Sequence, residues 1–369
     1  MKKQVIFLTG STGFLGSRVL KRLMNDESLK LFCLVRSTAG IKGAKKKIEK
    51  VNKIDLSHLS NVEVVAGDIT KEKFGLDHEI YSHLQNTITD IVHCAASTKF
   101  SAPVDELRKI NVEPVERLKQ LAIEIDKQSD RKVNIIHVST AYCVGHANGV
   151  INEHEHAKPE SGFKNNYERS KWQAEKRLLK DKDKIKTVIV RPSIIIGSDK
   201  GECNRSGVVI PLFSIMRKNS KKYPTPIPLP RKIFFDMVSV DYVAECVISA
   251  LKKVDQLESG DIFHATAGLG KELTGKVSVK SFNTKFGIKM VGLNTSVYWW
   301  LLRFLAKYTN LVNAIDRTIM EAYANYFKTH PRFDNTKMLG LLNDEYKSID
   351  AKVLLENTID YWIANFDRN

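Results

Sequence analysis

Directly after its first apolar run, Val5 to Leu8, the chain reads Thr9-Gly10-Ser11-Thr12-Gly13-Phe14-Leu15-Gly16, a GxxGxxG spacing where a strand gives way to a helix. Each glycine has a separate task there. Gly10 permits the tight turn, Gly13 lets backbone amides approach an anion with no Cβ between them, and Gly16 lets the helix close on the sheet. The helix N-terminus then aims its free N–H groups and the positive end of its dipole at phosphate. A glycine pattern alone is weak evidence. Set between a strand and a helix, it predicts that residues 10–16 form a dinucleotide-binding loop.

Short apolar runs alternate with amphipathic stretches over the first 200 residues. Gln4–Leu8, Lys30–Val35, Val62–Ala66, Asp90–His93, Val133–Val138 and Thr187–Val190 are rich in Val and Ile with almost no polar alternation, as in parallel strands covered on both faces. Gly16–Met24 and Val104–Lys127 read as helices between them. Such repetition implies right-handed crossovers and an α/β fold, a Rossmann-type doubly wound parallel sheet. After Gly197 the texture changes, because residues 198–235 hold five of the ten prolines and show no strand rhythm. A helix resumes at Val240–Lys252, Asp261–His264 reads as a further strand, and from about Ser278 the chain looks mainly helical. The expected division is a dinucleotide-binding Rossmann domain over 1–197, to which 236–266 return. Residues 198–235 and 267–369 would form a smaller, mainly helical C-terminal substrate-binding region.

The formal net charge of +16 favours polyanionic partners. No zinc-finger spacing or RNA-binding signature accompanies the lysines, so nucleic acid is not expected. Most of them read as solvated surface, and no metal site is expected. The five cysteines form no CxxC pair and no signal peptide precedes the first strand, which argues for a reducing cytoplasm. The segment Val297–Tyr308, VYWWLLRFLAKY, is the most hydrophobic stretch outside the sheet. It is far short of the roughly 20 residues that span a bilayer. It is expected to pack on the core or in a homodimer interface. The alternatives are a lid over an apolar tunnel and a helix making peripheral membrane contact.

The end of the second strand reports cofactor choice. An acidic residue there suits the ribose hydroxyl of NAD, whereas here the strand ends in Arg36-Ser37. Arg36 can pair with a 2′-phosphate, so NADPH is favoured. Asp68 and Ile69 follow the third strand, where the carboxylate can accept from an adenine amino group. Ala95 and Ala96 follow the fourth, where small side chains let the cofactor lie against the backbone.

Tyr167 and Lys171 lie four residues apart in a helical stretch, on one face. A lysine ammonium beside a phenol stabilises phenolate, which is expected to lower the Tyr167 pKa from about 10 toward working pH. The fifth strand ends in Ser139-Thr140, placing hydroxyls at the carboxyl edge of the sheet, where open α/β folds bind ligands. Counting back from Gly145, Thr140 is the preferred catalytic hydroxyl and Ser139 the alternative.

These residues, with Arg191-Pro192-Ser193, resemble the extended short-chain dehydrogenase/reductase superfamily. Within it, the set TGSTGFLG, LVR, VHCAAST-F, HVSTAYC, NNYERSKWQAE, RPSIIIG and DMVSVDYVA is similar to fatty acyl-CoA reductases and to the thioester reductase domains of carboxylic acid reductases. The match runs from about residue 4 to 266. One departure is Asn111-Val112-Glu113-Pro114, where both groups usually have Asn-Val-x-Gly. Pro114 is expected to shift the start of that helix.

The resemblance implies NADPH-dependent reduction of an acyl thioester, acyl-CoA or an acidic acyl carrier protein, to an aldehyde and onward to an alcohol. Tyr167 and Thr140 would stabilise the oxyanion, and Lys171 would bind the nicotinamide ribose. Asn111 would support Lys171 through water, with Pro192 and Ser193 touching the cofactor. The rival readings are an alcohol or hydroxysteroid-type dehydrogenase, a sugar-nucleotide epimerase or dehydratase, and an NADP-sensing regulator without chemistry. Arg36 weighs against the epimerase and the intact Tyr/Lys pair against the regulator.

Overall fold

A computed structural model describes residues 4–100, 102–129, 131–204, 210–219, 225–227, 229–230, 233–293, 296–298, 325–343 and 346–367. Seven strands pair in parallel: β1 (Val5–Thr9), β2 (Lys30–Val35), β3 (Val62–Ala66), β4 (Asp90–His93), β5 (Asn134–Val138), β6 (Thr187–Pro192) and β7 (Ile262–Ala265). Their order across the sheet is β7-β6-β5-β4-β1-β2-β3. The chain leaves β1 in one direction to β2 and β3 and in the other to β4, so a switch point opens at the carboxyl ends of β1 and β4.

Side-chain alternation explains why these runs carry almost no polar residue. Ile6 and Leu8 of β1 enter one core, against Val19, Leu20 and Leu23 of α1 (Phe14–Leu23). Phe7 enters the other, with Leu84 of α3 (His78–Thr87), Leu118 and Leu121 of α4 (Glu113–Ser129) and Ala174 and Leu178 of α5 (Asn166–Leu179). Helix α6 (Val240–Lys252) covers the first face beside α1, and the Ser239 hydroxyl caps it by accepting from the Tyr242 amide at 3.1 Å. Each large apolar side chain buried in this way stabilises the fold by about 1.5–3 kcal/mol. Between α1 and α3 lies the basic helix α2 (Gly40–Asn52).

Two expectations about elements change. Helix α1 starts at Phe14 rather than Gly16, because Gly13 stays extended and serves as the cap. The single helix expected over Val104–Lys127 is interrupted. A short helical turn, Val104–Leu107, runs into a π turn at Arg108–Val112 before α4 begins. Pro114 supplies the reason: it has no N–H, and its ring crowds the carbonyl four residues earlier. The backbone widens, and the Glu113 amide reaches the Arg108 carbonyl instead.

The later part of the chain builds a second apolar cluster from Phe213, Phe235, Phe282, Phe286, Leu355 and Trp362, among others. Helices Ile210–Asn219, Gly275–Phe286 and Ala351–Phe366 contribute to it. It is less purely helical than expected. Strand Met290–Gly292 pairs with Thr225–Ile227, and strand Pro331–Phe333 returns to pair with Gly149–Ile151 near the end of β5. Of the hydrophobic segment Val297–Tyr308, residues 299–308 lie outside the described residues. Among the described residues no helix is long and apolar enough to cross a membrane.

Candidate active site

At the switch point the glycines are under steric pressure. Gly10 has φ of +81°, and a Cβ there would lie 2.7 Å from the Ala95 amide nitrogen. A Cβ on Gly16 would overlap the Gly10 carbonyl oxygen. Gly13 gives α1 no side-chain cap, and no acidic residue occupies its first turn, so the first amides of the helix stay available to an anion. This cradle fits a dinucleotide pyrophosphate. Ser11 contributes backbone only: its side chain is buried toward Cys33, and its carbonyl accepts from Asn52 Nδ2 at 3.2 Å. Thr12 is half-buried, Leu15 packs into the core, and the Phe14 carbonyl accepts from the Ser17 hydroxyl.

Arg36 is exposed just past β2, and Lys47 on α2 donates to its carbonyl at 3.1 Å. Asp68 lies beyond the neighbouring β3. Burial raises its carboxyl, but the Thr70 amide and hydroxyl, with the charges of Arg36 and Lys71, bring it net below the ordinary range. Ile69 packs under this edge. The Ala95 amide donates to the Thr9 hydroxyl at 3.4 Å, and Ala96 follows it on the same edge.

Helix α5 carries the Tyr-Lys pair. Its cap is Asn165, whose side chain accepts from the Glu168 amide at 2.9 Å. Tyr167 is half-buried with its ring 5.9 Å from that of Phe100. Burial, then Glu168 and Cys143, push its phenol above the usual range. This departs from the expectation of a depressed phenol. Lys171 is itself only 2% exposed, and its ammonium turns down onto the sheet, 3.3 Å from His137 Nε2. Burial lowers the Lys171 amine to about 8.

Thr140 and Ser139 separate clearly. Thr140 Oγ1 accepts from the Tyr142 amide at 3.3 Å and starts the turn Ala141–Val144, which packs on α5. A hydroxyl accepting in this way keeps its own O–H to donate. Ser139 instead helps hold the Glu175 carboxyl low. Asn111 sits in the π turn, where its Oδ1 accepts from the Ser97 amide at 2.8 Å. Its Nδ2 donates to the Ser97 carbonyl at 3.0 Å and to Ser170 Oγ at 2.9 Å. Pro192 ends β6 opposite Ala265, and the Ser193 amide donates to the Ala265 carbonyl at 3.2 Å. The Ser193 hydroxyl faces the buried Asp236, so its polar contacts run to the C-terminal side of the sheet.

Three features of the site escaped the sequence reading. Arg191 grips Glu175 with Nε at 2.9 Å and Nη2 at 2.6 Å, both residues almost fully buried. His93 stacks on His137 with ring centroids 5.3 Å apart. Tyr326, from the C-terminal part, stacks on Phe100 at 5.6 Å, meets Tyr142 edge-on at 5.5 Å, and accepts from Asn165 Nδ2 at 2.7 Å. Beside this aromatic wall Glu168 is pushed up to about 7, by burial against the pull of Lys164. The signals were there: His93, His137 and Arg191 each follow an apolar run within a buried strand. Among the described residues no cluster of side chains is arranged to hold a metal ion.

A doubly wound sheet, a glycine loop at its switch point and a Tyr-Lys pair one helical turn apart beyond the fifth strand define an extended short-chain dehydrogenase/reductase. A family model described as male sterility protein matches residues 8–247, and the chain belongs to that NAD-binding family. It is 27% identical to the L-2-aminoadipate reductase of Saccharomyces cerevisiae over 266 residues, covering 66% of this chain and 18% of that protein. It is 24% identical to a putative fatty acyl-CoA reductase of Drosophila melanogaster over 353 residues, 81% of this chain and 66% of that protein. The chain thus spans less than a fifth of the yeast relative. Among solved structures, the terminal R domain from the myxalamid PKS-NRPS biosynthetic pathway superposes with a TM-score of 0.81 at 21% identity, covering 98% of this chain and 91% of that one.

Proposed function

We propose that this chain reduces an acyl thioester with NADPH. The observation that carries the reading is the Tyr167 phenol, one helical turn before Lys171 on α5. It stands on a wall of Phe100, Tyr142 and Tyr326, beside the turn that Thr140 begins. Reduction of a carbonyl needs a proton donor, and a protonated phenol is one. The names of the curated relatives, a fatty acyl-CoA reductase and an aminoadipate reductase, support the same chemistry.

The reduced nicotinamide, when bound, supplies the hydride. The glycine loop and the amides opening α1 would hold its pyrophosphate, Arg36 its 2′-phosphate, and the two Lys171 N–H groups not directed at His137 its ribose hydroxyls. Tyr167 and Thr140 donate to the thioester oxygen and strengthen those bonds as charge develops there. The aromatic wall excludes water from the reacting carbon. With hydride on carbon and the Tyr167 proton on oxygen, the carbon is a hemithioacetal. Its C–S bond breaks, the sulfur leaves as thiol with the hydroxyl proton, and an aldehyde remains. A second round on the aldehyde gives the alcohol. The charge of +16 suits either coenzyme A or an acidic carrier protein as thiol carrier.

Absorbance at 340 nm tests the reading. With NADPH and acyl-CoAs of graded length, or acylated carrier protein, absorbance should fall with release of one thiol per aldehyde. Oxidation of secondary alcohols by NADP, with every thioester inert, would replace this reading by the dehydrogenase. Arg36→Gln tests the cofactor: it should raise the KM for NADPH by about 10–100-fold, the worth of a charge-assisted hydrogen bond, and leave that for NADH unchanged. Equal effects on both cofactors would remove Arg36 from the phosphate site.

A further inference from the structure

We infer that His137, braced by the stacked ring of His93, is a positioning residue that sets the direction of the Lys171 ammonium. The inference rests on the reductase reading, because it concerns how that reaction's lysine is held.

Strands β4 and β5 place His93 and His137 at the same register in the middle of the sheet. Two residues earlier on the same face stand Ile91 and Ile135, both buried, so this interior accepts apolar side chains readily. Two imidazoles in their place carry a desolvation cost unless their nitrogens are used. One nitrogen of each ring is used, His93 Nδ1 and His137 Nε2, while His93 Nε2 and His137 Nδ1 find no partner among the described residues. Thr9 Oγ1 meets His93 Nδ1 at 2.7 Å and fixes that ring. The His93 ring lies 27° from parallel on His137 and fixes the second. His137 Nε2 is thereby presented to Lys171 Nζ at 3.3 Å. Since an ammonium can only donate, Nε2 must accept, and the proton of neutral His137 sits on Nδ1.

The choice of a neutral acceptor matters. A carboxylate at this point would hold the ammonium as firmly but would cancel its field. Burial, with the charges of Lys171 and His93 adding, holds His137 well below its ordinary range, and His93 is lowered to about 3. Both rings therefore stay uncharged at neutral pH, and the lysine is oriented while its charge survives. The other groups that face Lys171 are Glu175 on its own helix, Cys94 after β4, and Cys143 in the turn after β5, with Arg191 behind Glu175. Glu175 is the one full negative charge among them, and Arg191 holds it in a two-pronged grip. The Asn111 amide, in the π turn that packs on α5, is committed to Ser97 and Ser170. His137 supplies a direct contact instead.

The test compares His137→Gln, which keeps an acceptor at similar reach, with His137→Leu, which fills the space without one. His137→Asn, whose carbonyl is too short to reach, serves as a second loss variant. Lys171 Nζ is followed through a pH titration by nitrogen-15 NMR of lysine-labelled protein without cofactor, with Lys171→Arg giving the assignment. Losing a hydrogen bond to a charged group should move the Lys171 titration down by about one to two pH units in the Leu and Asn variants. The Gln variant should restore it. The alkaline limb of the thioester reduction profile should follow the same pattern. An unchanged Lys171 titration in a folded Leu or Asn variant overturns the inference and leaves the reductase reading standing. A shifted titration in a protein that reduces no thioester sinks the reductase reading and leaves the contact.

Discussion

Tyr167→Phe should lower thioester turnover by about 10²–10⁴-fold, the usual contribution of a positioned proton donor. NADPH binding should be nearly unchanged. The substitution keeps the ring that stacks on Phe100 and removes only the O–H. The loss should therefore appear in kcat, with the dissociation constant for NADPH, read by fluorescence titration, close to that of the parent. The pH profile of the parent enzyme gives an independent check. Because surroundings raise rather than lower the phenol, Tyr167 stays a donor at every working pH. A charge that the site loses on the alkaline side is that of Lys171, whose amine is at about 8. Below that value it is an ammonium and can hold a ribose; above it the charge goes. Activity should fall as pH rises through about 8, and Lys171→Arg should move that fall upward. A profile flat to pH 10 would show that the lysine charge has no part in the rate-limiting step.

How much of this was legible in the sequence depends on the distance over which each feature is encoded. The glycine loop and the Tyr167-Lys171 spacing are local, and their placement survives in the structure because strand and helix periods fix which face a residue takes. Asn111 stands out in the sequence, but the π turn that carries it does not, since an extra residue in one turn barely disturbs a helical apolar pattern. Pro114 was the visible cause. The His93–His137 stack and the Glu175–Arg191 pair were out of reach for another reason. Each joins residues brought together by strand order or by packing of α5 on β6, and sequence alone reads such residues as isolated anomalies. The same holds for Tyr326 and Phe333, whose place beside Tyr142 depends on Pro331–Phe333 returning to Gly149–Ile151. A depressed phenol at Tyr167 would need a lysine that points along the helix face toward it. In fact the ammonium follows its hydrogen bond into the sheet.

Arg191→Met should be the most destabilising of the simple substitutions near the site. It leaves the Glu175 carboxylate buried without its partner, a change that costs about 3–5 kcal/mol in comparable pairs. At about 1.3 °C per kcal/mol for a chain of 369 residues, the melting temperature should fall by about 4–6 °C. Arg191→Met with Glu175→Met should recover most of that loss, because two apolar side chains of similar volume replace two buried charges. The acid side distinguishes this from simple packing. Burial works to raise the Glu175 carboxyl, yet Arg191, Ser139 and Lys171 bring it net below the ordinary carboxylate range. A carboxyl lowered on folding adds stability above its unfolded pKa and loses it as pH falls through the folded one. The parent should therefore lose stability below the ordinary carboxylate pKa of about 4.3, and the double variant should lose less over the same interval. Glu175 also raises the Lys171 amine. A double variant that recovers its fold should still titrate Lys171 below the parent value, with the alkaline limb of activity displaced in the same direction. Recovery of stability with Lys171 unmoved would mean that the Arg191–Glu175 pair serves the fold alone and sends no charge effect to the reacting end of the helix.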